Sequence, residues 1–289
     1  MIGERLKRIE DPALLRGNGV FVDDIHLAGM LHAAFVRSPH PHALIKGINT
    51  AAAKSYSGVI EVYTLEDFRP YIAKERLPLQ FPTQAFRADV TPWLLANEEV
   101  SHVGEVVAMI IAESRYIAED AIALVEVDYE LLTSVAGSSA AMADGAPRVH
   151  REHENVLCSF EQSYGDTKAA FENAPHVFKE RFVQHRGAAH PIEGRGAVAR
   201  YDGLDDGITL WASTQMSHEL RSAIVQVLGI DEGRIRVVAP DVGGGFGSKY
   251  IPYPEDVTVA LAAKILDCPI KWIEDRREHF ISAIQEREQ

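Results

Sequence analysis

A run of four glycines within five residues constrains this chain more than any other feature. Residues 241–249 read DVGGGFGSK, and glycine permits positive φ and lets a ligand approach main-chain N–H groups without a Cβ in the way. The apolar run 235–239 precedes the loop, and a helix is predicted after it, over Pro254–Leu266. A strand, a glycine loop and a helix start together form an arrangement that cradles anionic or polar ligands.

The loop does not match the two common nucleotide-binding motifs. A P-loop requires Gly-Lys followed directly by Ser or Thr, whereas Ser248 here separates Gly247 from Lys249. A dinucleotide fingerprint that starts at Gly243 requires glycine at the position of Ser248. A plain tight turn stays open, although four glycines cost more chain entropy than a turn requires. We favour a ligand-cradling loop and keep a nucleotide-binding enzyme as a competing hypothesis, which binding of ATP or NAD would support.

Composition narrows the classes of partner and the compartment. The 289 residues carry a net charge of −13, which argues against binding nucleic acid or an anionic membrane surface. The cysteines, Cys158 and Cys268, are too few for a disulfide framework or a four-thiolate cluster. The first residues lack the apolar core of a signal peptide, and no apolar run reaches the length of a membrane span. The expected location is the cytoplasm.

Hydrophobic patterns predict strands that alternate with helices, which is a mixed α/β (α+β) fold. Residues 1–130 form one predicted domain, 131–150 an Ala-, Gly- and Ser-rich linker, and 151–289 a second domain. In the second domain the predicted strands are 177–185, 209–213, 234–238 and Ile270–Ile273, with helices over Thr167–Asn173, after Ser217 as far as Gly229, and over Pro254–Leu266.

Three groups of polar residues carry further predictions. Gln215 lies where a strand gives way to a helix, a position at which open α/β sheets bind ligands. Its amide has donors and an acceptor, so it suits an oxo group or a heterocycle edge, and a structural glutamine that bonds loop backbone is the alternative. Glu193 and Arg195 are candidates for a buried ion pair, and residues 274–289 for a solvated charge-rich face.

Several motifs spread along the chain carry a family resemblance. They are Gly17-x-Gly19-x-Phe21-x-Asp23-Asp24-Ile25, Arg37-Ser38-Pro39-His40-x-His42-Ala43, Val103-Gly104-Glu105-Val106-Val107-Ala108, Gly165-Asp166, His190-Pro191-x-Glu193-x-Arg195, Ser213-Thr214-Gln215, Gly243-Gly244-Gly245-Phe246-Gly247-x-Lys249 and Lys271-Trp272-x-Glu274-Asp275-Arg276. With these motifs the chain resembles the N-terminal part of the molybdopterin-binding large subunit of the xanthine dehydrogenase, aldehyde oxidase and aerobic carbon monoxide dehydrogenase family.

The resemblance implies a fold and a set of site residues. Residues 1–130 would be an α/β hammerhead domain, and 151–289 the first part of a molybdenum-cofactor-binding domain. The glutamine that matches Gln215 approaches the oxo group on molybdenum in that family. Backbone amides that match Gly244, Gly245, Phe246 and Gly247 lie against the metal site and the pterin. Gln215 and Phe246 would thus be near the molybdenum without ligating it, because the pterin dithiolene supplies the sulfur ligands.

The resemblance also implies cofactors and partners. The cofactor would be molybdenum-molybdopterin, with its cytosine dinucleotide form as one variant, and iron–sulfur clusters and FAD would lie on partner subunits. The family's general-base glutamate belongs to the C-terminal part of the large subunit, so no catalytic residue is expected in this chain. A second polypeptide that completes the large subunit is expected, whether the gene is split or the chain truncated. Alone, the chain is expected neither to hold the cofactor tightly nor to turn over.

The resemblance bounds the substrate only partly. The family hydroxylates a carbon centre, or oxidises carbon monoxide, with oxygen drawn from water. Its purine hydroxylases carry a glutamate directly after the lysine of the glycine motif, where this chain has Tyr250. That difference favours an aldehyde or an N-heterocycle over a purine, and leaves carbon monoxide open. A non-catalytic scaffold subunit that binds partner chains without molybdenum is the alternative function, and the molybdenum content of the complex separates the two.

Overall fold

Strands and helices alternate along most of the chain in the computed structural model, which describes residues 2–80, 82–88 and 90–284. The strands in these ranges are β1 (Leu31–Arg37), β2 (Ala43–Asn49), β3 (Val59–Tyr63), β4 (Glu99–Val100), β5 (Val106–Ala112), β6 (Glu126–Leu131), β7 (Gly196–Asp202), β8 (Gly207–Ala212), β9 (Ile235–Val238) and β10 (Ile270–Ile273). The α-helices in the same ranges are α1 (Asp11–Leu14), α2 (Ala51–Lys54), α3 (Leu65–Phe68), α4 (Arg115–Ile122), α5 (Ser138–Ala141), α6 (Thr167–Asn173), α7 (Ser217–Leu228), α8 (Pro254–Leu266) and α9 (Arg276–Ser282). No helix within the described ranges has the length and apolar character needed to cross a membrane.

Strands from both predicted domains form one continuous sheet. Its seven strands lie in the order β3-β5-β1-β10-β7-β8-β9, and a separate sheet has the order β4-β2-β6. The junction is the parallel pair of β1 and β10, where Leu31 lies opposite Ile270 and His32 opposite Lys271. Main-chain hydrogen bonds therefore join the two parts of the chain directly. The mixed α/β fold class is confirmed, whereas the domain boundaries at 130 and 151 stay a prediction.

The core lies on both faces of the larger sheet. Successive side chains of a strand point to opposite faces, so Met109 and Ile111 of β5 join a cluster with α7 and α8. Ala108 and Ile110 join a second cluster with α4 on the other face. The predicted helix that ends at Gly229 is confirmed as α7, and Gly229 takes the left-handed conformation with φ 66°.

A buried ionic network crosses the junction between the two parts. Arg195 donates from Nε and Nη2 to Glu274 Oε1 at 2.8 and 2.5 Å, and its Nη2 lies 3.4 Å from Glu255 Oε1. Arg37, at the end of β1, donates from Nη2 to Glu255 Oε1 at 2.8 Å and lies 3.0 Å from Glu278 Oε1. Burial alone would raise the pKa of Glu274, but a hydrogen bond from His279 and the charge of Arg195 lower it to about 2.

This network corrects two of the sequence predictions. Arg195 does not pair with Glu193 but with Glu274 and Glu255, which are 79 and 60 residues away in the chain. The predicted solvated face at 274–289 is wrong for Glu274 and His279, which are 5% and 1% exposed. Charge-rich sequence does not reveal distant partners, and these partners bury the charges. Residues 285–289 lie outside the described ranges.

The predicted strand 177–185 is also wrong for this structure. Those residues form no strand, and every one of them is exposed. Their sequence has the apolar and β-branched composition of a strand, but no described strand lies beside them to accept the pairing. The local pattern therefore identified a segment that has the composition of a strand but has no strand beside it in the described part of the chain.

We expect the replacement Arg195→Met to destabilise the chain by about 3–5 kcal/mol, because it leaves buried carboxylates without their guanidinium. Urea unfolding followed by circular dichroism measures the loss. Arg115→Met is the control, since Arg115 pairs with Glu119 at the surface and its loss costs less than about 1 kcal/mol. Equal losses for the two variants would contradict the role given to the buried network.

A second prediction concerns Asp256, which accepts a hydrogen bond from the Tyr253 N–H at the start of α8. Burial raises the pKa of Asp256 from its ordinary value of 3.8 to about 7, against the opposing effect of that hydrogen bond. The folded state therefore holds the proton more tightly than the unfolded state. The contribution of this group to the free energy of unfolding falls as the pH rises from about 4 to about 7.

The variant Asp256→Asn keeps the acceptor oxygen and removes the titration. We expect the free energy of unfolding of the variant to decline less between pH 5 and pH 8 than that of the wild type, by on the order of 2–4 kcal/mol. Urea titrations across that pH range provide the comparison. Parallel pH profiles for the two proteins would show that Asp256 does not titrate in this window.

Candidate functional site

Two neighbouring parallel strands deliver the candidate site to one edge of the larger sheet. In β8 and β9, Trp211 lies opposite Val238. The chain leaves β8 through Ser213 to Gln215 and leaves β9 into the glycine loop 243–249. Because parallel neighbours end at the same edge, the two polar segments predicted from the sequence meet there.

Gln215 is bonded directly to the glycine loop. Its Oε1 accepts from the N–H groups of Gly247 at 3.1 Å and Lys249 at 3.3 Å. Its own N–H donates to the Lys249 carbonyl at 2.8 Å. Since both side-chain contacts come from main-chain donors, the inward atom must be the oxygen. The exposed Nε2 group then keeps two N–H donors that bond to no described residue.

Three successive backbone amides of the loop also lack an acceptor among the described residues. The N–H groups of Gly244, Gly245 and Phe246 donate to no atom among the residues that the structure describes. The N–H of Gly247, also predicted to face the cofactor, donates to Gln215 Oε1. The loop and the Gln215 amide together therefore present a surface of hydrogen-bond donors.

The glycines are required by close packing. A Cβ on Gly245 would lie 2.4 Å from both Cδ and Oε1 of Gln215, and a Cβ on Gly243 would lie 2.5 Å from Cβ of Glu193. Gly244 has φ +100° and Gly247 has φ +94°, values that glycine adopts without strain. The backbone of the loop thus packs directly against Glu193 and Gln215, and a side chain at Gly243 or Gly245 would force them apart.

Phe246 is the exception within the loop. It has φ 52°, a left-handed conformation that costs a residue other than glycine on the order of 1–3 kcal/mol. Its side chain is nevertheless 72% exposed, so burial of the ring does not offset the strain. An exposed aromatic residue held in a strained backbone is typical of a ligand contact.

Glu193 anchors the base of the loop. Its Oε2 accepts from Ser213 Oγ at 2.7 Å, from the Gly243 N–H at 2.7 Å and from Lys249 Nζ at 2.9 Å. The Lys249 side chain is fully buried, and burial lowers the pKa of Lys249 although Glu193 acts in the opposite direction. Sequence reasoning missed this anchor, and its only signal was the shared motif around Glu193.

The N-terminal part of the chain also holds the loop. The Val20 N–H donates to Asp241 Oδ2 at 2.8 Å, and the Asp241 N–H donates to the Val20 carbonyl at 3.0 Å. Through these reciprocal bonds the motif that begins at Gly17 and Gly19 holds the start of a loop more than 200 residues away in the chain. Sequence reasoning assigned that motif only to the family resemblance.

The site is one open wall, and its donor set fits a group that brings its own metal ligands. Within the described residues, no group of three His, Cys, Asp or Glu side chains could hold a metal ion. A cleft of about 850 Å³ in the same residues is lined by residues such as Trp93, Glu105 and Tyr253 and by none of loop 243–249 or Gln215. The cleft therefore lies apart from the donor surface. We base the function on the donor surface, because its N–H groups are able to bind a ligand.

We expect Gly245→Ala to displace the Gln215 side chain, because the new methyl group would overlap its amide. Loss of the two N–H···Oε1 bonds should cost about 1–3 kcal/mol and shift the side-chain NH₂ resonance of Gln215 in an NMR spectrum. Gly47→Ala is the control, since a Cβ there meets nothing within 4 Å. An unchanged Gln215 resonance in Gly245→Ala would refute the proposed packing.

Comparison with known proteins agrees with this geometry. Residues 16–133 match the family model of the aldehyde oxidase and xanthine dehydrogenase a/b hammerhead domain. Residues 149–289 match the model of the molybdopterin cofactor-binding domain. The two matches do not overlap, and together they take in most of the chain.

Relatives with established names match along the whole chain. The nicotine 6-hydroxylase large subunit of Paenarthrobacter nicotinovorans is 41% identical, over 100% of this chain and 35% of the relative. The carbon monoxide dehydrogenase large chain of Afipia carboxidovorans is 39% identical, over 96% and 35%. The crystal structure of quinoline 2-oxidoreductase from Pseudomonas putida 86 superposes with a TM-score of 0.89 at 36% identity, over 99% of this chain and 36% of that one.

The chain spans about a third of the length of these relatives. The family models, the relatives and the fold all lead to one group of proteins. The chain belongs to the family of molybdopterin-binding large subunits of xanthine dehydrogenase, aldehyde oxidase and aerobic carbon monoxide dehydrogenase.

Proposed function

We propose that this chain supplies one wall of a molybdopterin-cofactor site in a molybdenum hydroxylase. The observation that carries the proposal is the Gln215 amide, whose oxygen is fixed to the loop. Its two N–H donors, like the N–H groups of Gly244, Gly245 and Phe246, bond to no residue that the structure describes. Such a surface suits the oxygen atoms of a bound cofactor. When bound, a molybdenum-molybdopterin group supplies two-electron oxidation with oxygen drawn from water.

Each residue of the wall has a proposed task. Gln215 would donate from Nε2 to an oxygen atom of the bound cofactor, and the exposed ring of Phe246 would lie against that group. Gly244 and Gly245 let the cofactor approach their N–H groups, and Gly247 fixes the Gln215 oxygen. The cytosine dinucleotide form of the cofactor is compatible with this wall. We assign the general base to the part of the large subunit outside this chain and propose no catalytic residue here.

The remaining parts of the enzyme are proposed to come from other polypeptides. A chain equivalent to the other two thirds of the relatives' large subunit supplies the general-base glutamate and the second wall. Iron–sulfur and flavin subunits take the electrons away, since the described residues hold only two free thiols, Cys158 and Cys268. Unpaired thiols are normal in the reducing cytoplasm, where we place the protein.

An N-heterocycle is the proposed substrate class. Nicotine and quinoline, named in the relatives at 41% and 36% identity, are both N-heterocycles. The partly exposed Tyr250 follows the loop lysine, so the carboxylate of purine hydroxylases is missing there. Carbon monoxide is the second candidate, because a carbon monoxide dehydrogenase large chain is 39% identical.

The test uses this chain together with a polypeptide covering the rest of the Paenarthrobacter nicotinovorans relative and its iron–sulfur and flavin subunits. We expect molybdenum in the purified complex and dye reduction with nicotine or quinoline in preference to xanthine. Gln215→Ala should lower turnover by about 100-fold, as loss of one preorganised donor does. Gln226→Ala, on the exposed side of α7, is the matched control and should leave turnover unchanged.

Metal analysis separates this function from a scaffold. A complex that assembles but contains no molybdenum supports the scaffold and overturns the proposed function. Turnover on xanthine alone would overturn the proposed substrate class, and turnover on carbon monoxide alone would favour the second candidate.

A further inference from the structure

The segment 175–185 has an unusual environment for its composition. No backbone or side-chain group in it forms a hydrogen bond or ion pair with any residue that the structure describes. All eleven of its residues are exposed. Backbone groups of an extended segment normally find partners in a sheet when they leave water, so this segment is solvated throughout.

Large apolar side chains crowd this solvated segment. The exposed fractions are 57% for Val177, 86% for Phe178, 87% for Phe182 and 66% for Val183. β-Branched and aromatic residues favour strands, and a contiguous exposed apolar patch marks a surface that binds another polypeptide. The segment thus has the composition of a strand, and its exposed apolar side chains are typical of a surface that binds another polypeptide.

The segment also leads directly into the candidate site. Beyond it, the Ala189 carbonyl lies 2.6 Å from His279 Nε2, and Glu193 anchors the glycine loop through Ser213, Gly243 and Lys249. A strand laid beside 175–185 would therefore come from a chain that lies next to the open wall.

We infer that residues 175–185 form a β-strand by pairing with an edge strand of the polypeptide that supplies the other two thirds of the large subunit. This inference rests on the proposed function in one respect, that such a polypeptide exists. Pairing would satisfy the main-chain N–H and C=O groups along the paired edge of the segment. The rings of Phe178 and Phe182, which lie on the same face of such a strand, would pack against the same polypeptide.

The comparison of lengths favours this occupant over a second copy of the chain. The whole chain aligns with only 35% of the nicotine 6-hydroxylase large subunit, so about two thirds of that relative's length lies outside the match in the same subunit. Two copies paired through 175–185 would satisfy the same backbone groups. They would not supply the second wall that the donor surface of Gln215 and the loop requires.

The test is hydrogen–deuterium exchange on this chain, alone and with a polypeptide covering the rest of the Paenarthrobacter nicotinovorans relative, without any cofactor. The polypeptide is used both as a separate chain and joined covalently to this one. We expect the amides of residues 176–185 to exchange freely in the chain alone and to slow by at least about tenfold in both combined forms.

Two variants test the role of the side chains. Phe178→Asp and Phe182→Asp should each weaken association of the separate chains by at least about tenfold, a loss typical of a buried aromatic anchor. They should leave the free chain folded, because both rings are exposed there. Leu204→Asp is the matched control, since Leu204 is 97% exposed and lies in the turn between β7 and β8.

Several results would overturn the inference. One is unchanged exchange at 175–185 in the covalently joined form, and another is association that Phe182→Asp weakens no more than Leu204→Asp does. Sedimentation that shows the chain pairing with itself through 175–185, with no protection on adding the relative's polypeptide, would assign the segment to a second copy. None of these outcomes depends on molybdenum, so failure here is distinguishable from failure of the proposed function.

Discussion

A buried guanidinium, that of Arg195, holds the parts of this structure in register. A charge with 2% exposure is tolerated only when its hydrogen bonds are satisfied by partners. Glu274 comes from the end of β10 and Glu255 from the start of α8, and Glu255 in turn binds Arg37 of β1. The network therefore reinforces the short parallel pairing of β1 with β10, which alone would be a small contact between the two parts.

The candidate site depends on the same constraint. Glu193 lies two residues before Arg195, so fixing the arginine fixes where the Glu193 carboxylate can reach. That carboxylate holds Ser213, Gly243 and Lys249, and these residues set the distance between the strand-end Gln215 and the glycine loop. The buried charged residues therefore fix the geometry of the site, and the neutral amides of Gln215 and the glycine loop are available to bind the ligand.

Sequence pattern predicted the elements whose signals are local. The helix Pro254–Leu266 and the strand Ile270–Ile273 have the predicted bounds, because proline and the apolar periodicity mark them. The meeting of Gln215 with the loop followed from strand ends and from the resemblance. The pairing of Glu193 with Lys249 spans 56 residues and leaves no periodic trace, and nothing in 177–185 shows whether a neighbouring strand exists. In both cases the sequence did not predict which residue or strand, distant in the chain, would be the partner.

The fixed orientation of the Gln215 amide has a consequence for selectivity. Because two backbone N–H groups hold its oxygen, the side chain cannot rotate by 180° without placing hydrogens against hydrogens. The outward atom is thus a nitrogen before any ligand arrives, and no rotamer entropy remains to be lost on binding. A chemical group that only donates hydrogen bonds is repelled at this point, and one that accepts them is admitted. The folded chain thus selects ligands that present a hydrogen-bond acceptor to Gln215 Nε2.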